Sequence, residues 1–103
     1  MRVLFVCLGN ICRSPTAEGV LRHKLRTAGL TGQVDVASAG TGDWHVGNPP
    51  DKRSQAAALR RGYDLSAQRA QQVTRADFSS YDLILAMDQS NLRNLKALQP
   101  AQG

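Results

Sequence analysis

The sequence predicts an α/β domain with a parallel sheet of at least three strands and helices on both faces. Three short apolar runs, residues 2–6, 33–40 and 81–87, have the length and composition of strands. Segments of helical composition lie between and after them. Strands that alternate with helices are typical of parallel sheets, because a parallel connection needs a crossover segment. With 103 residues, the chain is expected to form one domain spanning residues 1–103.

The first helix is expected to run from Pro15 to about Ala28. Pro is suited to a first helical position, and Ser14 is expected to cap the helix. Gly29 is the expected C-terminal stop. Together with the flanking strands at 2–6 and 33–40 this helix makes a βαβ unit, so the carboxyl ends of both strands lie at one edge of the sheet. Ligands bind at that edge in open α/β sheets.

The second half of the chain predicts four more elements. Residues 51–61 form a helix by composition, and residues 75–78 could form one helical turn. Residues 81–87 predict a third buried strand, followed by a helix over 88–98 that is capped by its first residue or by Ser90. The side chains expected on the apolar sides of the two longer helices are Ala56, Leu59 and Tyr63, and Leu92, Leu95 and Leu98.

Between the first strand and the first helix lies the stretch VCLGNICRSP, residues 6–15. A strand, a tight loop and a helix N-terminus in this order bind anions, because loop N–H groups and the positive end of the helix dipole converge. Amides and a guanidinium favour the charged form of a thiol, so Cys7 is expected to be nucleophilic. Arg13 can hold phosphoryl oxygens bidentately. The stretch therefore predicts phosphoryl transfer through a cysteine.

Further residues are candidates for supporting this loop. Gly9 lets the backbone turn toward a bound group without a Cβ in the way, and Asn10 can adopt a left-handed backbone. Ser38, at the carboxyl end of the second strand, is a candidate to hydrogen-bond the loop. Trp44 lies in the polar, Gly- and Pro-rich segment 41–50, which is expected to be a loop over the same edge of the sheet.

Composition and charge narrow the function classes. Hydrophobic residues make up 42% of the chain and charged residues 20%, which is typical of a globular domain. No apolar run is long enough for a membrane span or a signal peptide, so a cytoplasmic protein with no membrane partner is expected. The net charge of +5 favours acidic partners, but the basic residues are not interleaved with aromatics, which disfavours nucleic acid. Two cysteines and two histidines give no metal-site spacing.

The run from Cys7 to Pro15 resembles the signature of the low-molecular-weight protein tyrosine phosphatases, a cysteine-dependent family with a C-x5-R phosphate loop. The segments Ser-Ala-Gly-Thr at 38–41, Trp-His-Val-Gly at 44–47 and Met-Asp-x-Ser-Asn-Leu at 87–92 also resemble this family. The resemblance covers nearly the whole chain. It implies a flavodoxin-like, phosphotyrosine phosphatase I-like fold whose C-terminal strand and helix are missing here.

The resemblance also implies the roles of the site residues. Cys7 would attack phosphorus to give a phosphocysteine, Arg13 would stabilise the transferring group, and Ser14 would hydrogen-bond the sulfur. Neither a metal nor an organic cofactor is expected. The other residues expected to bind substrate are Leu8, Gly9, Asn10, Ile11, Cys12 and Trp44, with Ser38 and Asp88 supporting the loop. The expected partners are a phosphotyrosine protein or small aryl phosphate, and inorganic phosphate or another oxyanion.

Two departures from the family are visible. Where the family usually has a His and an Arg, this chain has Gln68 and Gln71, which keep neutral hydrogen bonds but supply no cation. The family also carries a general acid in a later Asp-Pro-(Tyr/Phe) loop, whereas no Asp in this sequence precedes a Pro. Weak turnover of phosphotyrosine is therefore expected. The missing strand and helix would leave an apolar edge open, through which homo-oligomers could form.

Two alternatives to a tyrosine phosphatase stay open at this point, a protein-arginine phosphatase and a non-catalytic module, and a third, an arsenate reductase, is disfavoured. A protein-arginine phosphatase is similar but tends to have Thr where this loop has Ile11, and an arsenate reductase would need more cysteines than Cys7 and Cys12. A non-catalytic phosphate-binding module, or a self-associating fragment, would retain the anion site without turnover. Oxidation could also join Cys7 and Cys12 in a disulfide that protects the nucleophile.

Overall fold

A computed structural model of the chain describes residues 1–99, and the last four residues of the predicted domain lie outside this part. The elements in chain order are β1 (Arg2–Cys7), α1 (Arg13–Thr27), β2 (Asp35–Gly40), α2 (Lys52–Arg60), α3 (Asp77–Ser80), β3 (Leu83–Ala86) and α4 (Gln89–Leu98). The strands form one parallel sheet in the order β2-β1-β3. Among residues 1–99, no helix is both long and apolar enough to cross a membrane.

Helices cover the sheet on both sides, which confirms the predicted class. On one face Leu4 and Val6 of β1 pack with Ala39, Val73 and Leu95 in the buried core. Strand side chains alternate between faces, so Val3 points the other way, beside its register partner Val36. Leu25 of α1 shares a cavity with Val36, and α1 therefore lies on the second face.

Helix α1 begins two residues earlier than the sequence predicted. Its first residue is Arg13, Cys12 occupies the N-cap position, and no side chain caps the helix. The prediction that Ser14 caps α1 is wrong, because the Ser14 hydroxyl is buried and bonded to side chains of the preceding loop. The predicted stop is correct, since Gly29 follows the helix with a left-handed φ of 76°.

Two predicted apolar faces differ from the observed ones. On α2, Leu59 is 63% exposed and Ala58 is buried, so the packed face is rotated by about one residue from the prediction. On α4, Leu95 is buried and Leu98 packs against the core, whereas Leu92 is exposed. Both helices lie at the surface. On such a helix the apolar stripe is wider than the part that contacts the core, so some of its side chains stay exposed.

Strand β3 is shorter and less buried than predicted. It runs over four residues, and Leu83 and Leu85 are 41% and 37% exposed. Within residues 1–99, β3 pairs only with β1, and α1 packs on β1 and β2 rather than on β3. In the described part of the chain, the outer edge of β3 therefore has no strand partner. Leu83 and Leu85 are exposed on the face of the sheet where α1 packs on the other two strands.

Candidate active site

The Cys7 thiol lies at the carboxyl end of β1, the central strand. Cys7 is the last residue of the strand, pairs with Gly40 in β2, and is buried. Its sulfur accepts a hydrogen bond from the Asn10 backbone N–H at 3.2 Å and lies 2.9 Å from the Ser14 hydroxyl oxygen. The loop therefore folds back over the thiol and surrounds it with hydrogen-bonding groups.

Asn10 holds the loop together from inside. Its φ of 57° is left-handed, a conformation that asparagine tolerates better than most residues. The side-chain amide donates to the Ser14 Oγ at 2.8 Å and to the Ser38 Oγ at 2.9 Å. Its Oδ1 accepts from the Gln71 backbone N–H at 2.9 Å, so all hydrogen-bonding positions of this buried side chain but one are used.

Glu18 extends this network and was missed as a site residue by the sequence reasoning. It is 8% exposed, and its Oε1 accepts from the Ser38 hydroxyl at 2.6 Å. Its Oε2 forms an ion pair with Arg22 at 2.6 Å, and Arg22 also donates to the Val36 carbonyl. The sequence carried one indication of this role, the spacing between Ser14 and Glu18. Residues four positions apart lie on the same face of a helix.

Arg13 and Asp88 meet across the edge of the sheet. Arg13 begins α1, Asp88 follows β3, and the Arg13 Nη2 donates to the Asp88 Oδ2 at 2.9 Å. Both side chains are about half exposed, at 53% and 41%. Asp88 also caps α4 through the Asn91 N–H, which, together with Arg13, lowers the pKa of its carboxyl below the usual value. The pair holds the guanidinium beside the loop.

The loop backbone presents donors that the protein itself does not use. Among residues 1–99, no acceptor pairs with the N–H groups of Leu8, Gly9, Ile11 or Cys12. Buried or clustered backbone donors without partners are rare in proteins, and a run of them beside a helix N-terminus is typical of an oxyanion site. The loop thus has the donor set for a phosphoryl group.

Other predicted site residues lie around the rim of the loop. Trp44 is 61% exposed and is not a core residue. With Leu8 it lines a cavity of about 410 Å³, which also touches Asn94 and Leu98 of α4. His45 packs so closely on Gly9 that a Cβ there would lie 2.9 Å from the ring. Side chains from two other segments, residues 41–50 and α4, therefore flank the loop.

Cys12 faces away from the core of the loop. Its side chain is exposed and its sulfur lies 3.0 Å from the Ser54 Oγ of α2. The neighbouring Ile11 carbonyl accepts from the Asp51 N–H at 2.7 Å, which fastens the loop to the start of α2. Both cysteines are free thiols, and no group of His, Cys, Asp and Glu suited to a metal ion occurs within residues 1–99.

The two glutamines that depart from the family pattern both contact this region. Gln71 supports Asn10 through its backbone and donates from its side chain to the Ser38 carbonyl at 2.9 Å. Gln68 donates to the Pro15 carbonyl at 2.9 Å. Hydrogen bonds thus tie this segment to the loop and α1, but neither glutamine supplies a positive charge.

A parallel α/β sheet with a thiol and unpaired amides at the end of its central strand defines a class of domain built to bind oxyanions next to a nucleophile. The family described as low molecular weight phosphotyrosine protein phosphatase matches residues 2–102. The chain belongs to this family.

Similar proteins agree with this membership. A low molecular weight phosphotyrosine protein phosphatase of Schizosaccharomyces pombe is 48% identical over 101 residues, which covers 97% of this chain and 64% of the relative. A protein tyrosine phosphatase from Entamoeba histolytica, solved with Hepes in its active site, is 40% identical with a TM-score of 0.94, over 99% of this chain and 65% of that one. The chain thus spans less than two thirds of these proteins. A Drosophila arginine phosphatase is 39% identical with a TM-score of 0.88, over 94% and 60%.

Proposed function

We propose that this chain carries the nucleophile and phosphate loop of a protein tyrosine phosphatase that works through a phosphocysteine intermediate. The observation that carries the proposal is the environment of the Cys7 sulfur, which accepts from the Asn10 N–H and lies in hydrogen-bond contact with Ser14. These contacts fix the position of the sulfur within the loop, from which it would attack a phosphoryl group bound by the loop amides. Arg13 and the amides of residues 8–13 would bind the phosphoryl oxygens.

In the first step the Cys7 sulfur attacks phosphorus, the S–P bond forms and the P–O bond to the leaving group breaks. Charge on the equatorial oxygens is met by the loop N–H groups and by the Arg13 guanidinium, which Asp88 holds in place. Donors fixed before the reaction need no rearrangement in the transition state, and this is their main contribution to the rate.

In the second step water attacks the phosphocysteine, and the S–P bond breaks to release phosphate. The departing sulfur takes the bonding electron pair and becomes a thiolate again. The Ser14 hydroxyl, 2.9 Å from that sulfur, would donate a hydrogen bond to it and so make it a better leaving group.

The proposed reaction also needs a group that protonates the leaving group. No Asp precedes a Pro in the sequence, so the family's usual acid motif is not among these 103 residues. General acids typically contribute about 10²–10⁴ in rate. We therefore expect this chain to favour aryl phosphates whose leaving groups depart without protonation.

An aryl phosphate suits the rim of the loop. The exposed Trp44 and Leu8 give one side of the adjoining cavity an apolar surface against which a phenyl ring can pack. The structural similarity to an arginine phosphatase keeps phosphoarginine as the alternative substrate. Parallel assays with phosphotyrosine and phosphoarginine peptides distinguish them, and faster release of phosphate from phosphoarginine would overturn the tyrosine assignment.

Two further expectations belong to this proposal. A free, buried Cys7 thiol is required for the reaction, so a reducing compartment such as the cytoplasm suits the protein. Two copies could also associate through the open edge of β3, where Leu83 and Leu85 are exposed.

Exchange of Cys7 for Ser tests the mechanism directly. Cys7→Ser should reduce hydrolysis of p-nitrophenyl phosphate on the order of 10³-fold or more, because the hydroxyl is a far weaker nucleophile, while oxyanion binding remains. The matched control is Cys12→Ser, whose side chain points at Ser54 and should leave turnover of the same order. Normal hydrolysis by Cys7→Ser would disprove the mechanism.

Saturable phosphate binding by the unmodified chain with no burst of nitrophenol would instead indicate a non-catalytic binding module.

A further inference from the structure

We propose that a cavity between α1 and residues 62–68, the lateral cavity, binds a small organic zwitterion of the free amino acid kind. The lateral cavity has a volume of about 340 Å³, which is within the usual range for small-molecule sites. It is separate from the candidate active site. Arg26, which lines it, lies thirteen residues after Arg13 in α1, or about 20 Å along the helix axis.

One face of α1 forms the basic wall of the lateral cavity. Its lining residues are spaced by three or four positions and so share a face of the helix: Gly19, Arg22, His23 and Arg26. The charge of Arg22 is offset by its ion pair with Glu18. Within residues 1–99, the Arg26 guanidinium is in neither an ion pair nor a hydrogen bond. Arg26 is therefore the cation of this wall that a ligand can use.

The facing segment provides an anion. Asp64 lines the lateral cavity, and its Oδ1 accepts from the Ser66 N–H at 2.9 Å. Hydrogen bonds from the Ser66 backbone and hydroxyl hold the pKa of the Asp64 carboxyl below its ordinary value of 3.8, so this group is charged near neutral pH. No cation of residues 1–99 forms an ion pair with it. The lateral cavity thus has one unpaired charge of each sign.

Aromatic rings from the two walls meet at the lateral cavity. His23 of α1 and Tyr63 of the facing segment make an edge-to-face contact, with ring centroids 5.2 Å apart. Both residues line the cavity, and the methyl group of Ala67 adds to its apolar surface. A ring or an aliphatic chain of a ligand can pack against such a surface.

Hydrogen bonds hold the facing segment in place without a ligand. Gly62 has a left-handed φ of 88°, and the Tyr63 N–H donates back to the Ala58 carbonyl at 2.9 Å, which ends α2. At the other end of the segment, the Gln68 amide donates to the Pro15 carbonyl in the first turn of α1 at 2.9 Å. A site that is already formed needs little ordering on binding, which favours affinity for a small ligand.

The two unpaired charges decide the class of ligand. A simple oxyanion would be attracted by Arg26 and repelled by Asp64, and a simple amine would experience the reverse. Charged groups removed from water are costly unless each one meets an opposite charge. A molecule with both a carboxylate and an ammonium group satisfies both walls. An amino acid with an apolar side chain also has a body that fits the aromatic surface.

The test uses L-phenylalanine as the probe, because it carries both charges and a ring. Backbone amide shifts of the isotope-labelled chain are followed by NMR during titration. We expect saturable shifts at residues 19–26 and 62–68, with a Kd on the order of 1 mM. N-acetyl-L-phenylalanine lacks the ammonium group and L-phenylalaninamide lacks the carboxylate, so both should bind at least about threefold more weakly.

Three results of this titration would overturn the proposal. They are the absence of saturable shifts at residues 19–26 and 62–68, shifts confined to the loop between β1 and α1, and equal affinity for all three compounds. Because the analogues leave the protein unchanged, this comparison holds even where a variant of the chain fails to fold.

Substitutions test the two charges from the side of the protein. Arg26→Gln and Asp64→Asn should each weaken binding of L-phenylalanine by about three- to tenfold. Arg75→Gln and Asp35→Asn make the same chemical changes at exposed residues outside the lateral cavity and should bind like the parent. Equal affinity of Arg26→Gln and Arg75→Gln, or of Asp64→Asn and Asp35→Asn, would overturn the proposal.

This inference does not depend on the proposed function, because binding is measured without turnover. Neither Arg26 nor Asp64 belongs to the loop between β1 and α1, so both variants should hydrolyse p-nitrophenyl phosphate like the parent. A chain that binds L-phenylalanine at the lateral cavity but hydrolyses no aryl phosphate would support this site and contradict the phosphatase proposal.

Discussion

At the scale of single residues, the loop between β1 and α1 depends on how closely backbones approach each other at Gly40. A Cβ added there would lie 2.7 Å from the Leu8 carbonyl oxygen and 3.1 Å from the Asn10 nitrogen. Both neighbours are backbone atoms, which cannot rotate away as a side chain can. The sheet edge therefore needs glycine here for steric reasons.

We predict that Gly40→Ala destabilises the protein by about 1–3 kcal/mol, the usual result of overpacking, and lowers turnover because Leu8 and Asn10 must shift. Urea unfolding and p-nitrophenyl phosphate hydrolysis measure the two effects. Gly32→Ala is the control, since a Cβ at Gly32 meets nothing within 4 Å. Equal stability of the two variants would show that the loop accommodates the methyl group.

At the scale of elements, helix α4 and the loop share Asp88. Its Oδ1 accepts from the Asn91 N–H at the start of α4, and its Oδ2 accepts from Arg13. One side chain thus performs a capping task, for which a neutral acceptor suffices, and a pairing task, for which the charge matters.

We predict that Asp88→Asn and Asp88→Ala differ in a specific way. Asn retains a capping acceptor, so its melting temperature should stay near that of the parent, whereas Ala should melt several degrees lower. Both should raise the KM for aryl phosphate, because Arg13 loses its partner. If Asp88→Asn melted at as low a temperature as Asp88→Ala, the capping of α4 would also depend on the charge of Asp88, which would contradict this prediction.

The pH dependence of this pair follows from the lowered pKa of Asp88. A carboxyl whose pKa is lower in the folded chain than its ordinary value of 3.8 adds stability that is fully present above 3.8 and is lost as the pH falls through the folded pKa. The difference in stability between the parent and Asp88→Ala should therefore be constant near neutral pH and shrink in acid. Thermal melting over a pH series measures it.

At the scale of the whole molecule, the edge of β3 that faces away from β1 has no strand partner among residues 1–99. Leu83 and Leu85 are exposed on the face that α1 covers elsewhere, and Leu92 is exposed on α4. Unpaired strand edges flanked by apolar side chains readily pair with other chains. The proposed association of two copies belongs at this edge.

We predict that the protein shows concentration-dependent association in sedimentation experiments and that Leu85→Lys weakens it, because a charge on the edge opposes pairing. Leu59→Lys, at an exposed leucine of α2, is the control and should associate like the parent. A parent protein that stays monomeric at all concentrations, or equal association of both variants, would contradict the proposal.

The elements and the position of the site could be predicted because they depend on local patterns. Strand composition located the sheet, Gly29 ended α1, and the spacing of Cys7 and Arg13 marked the loop. The cap of α1 could not be predicted from Ser14, because the choice of its hydroxyl between the helix backbone and the loop depends on what the loop brings near it. The same holds for the exposed leucines of β3, whose burial depends on neighbours distant in sequence.

By itself, the sequence determined the family and the α/β class and indicated Cys7 as the candidate nucleophile, because each is encoded by residue types at short, fixed spacings. Only the tertiary structure decided that Glu18, Ser38 and Gln71, from three separate segments, meet around Asn10. Hydrogen bonds between distant segments depend on positions and directions in space. Those are set when the sheet and its helices pack together, and no spacing along the chain records them.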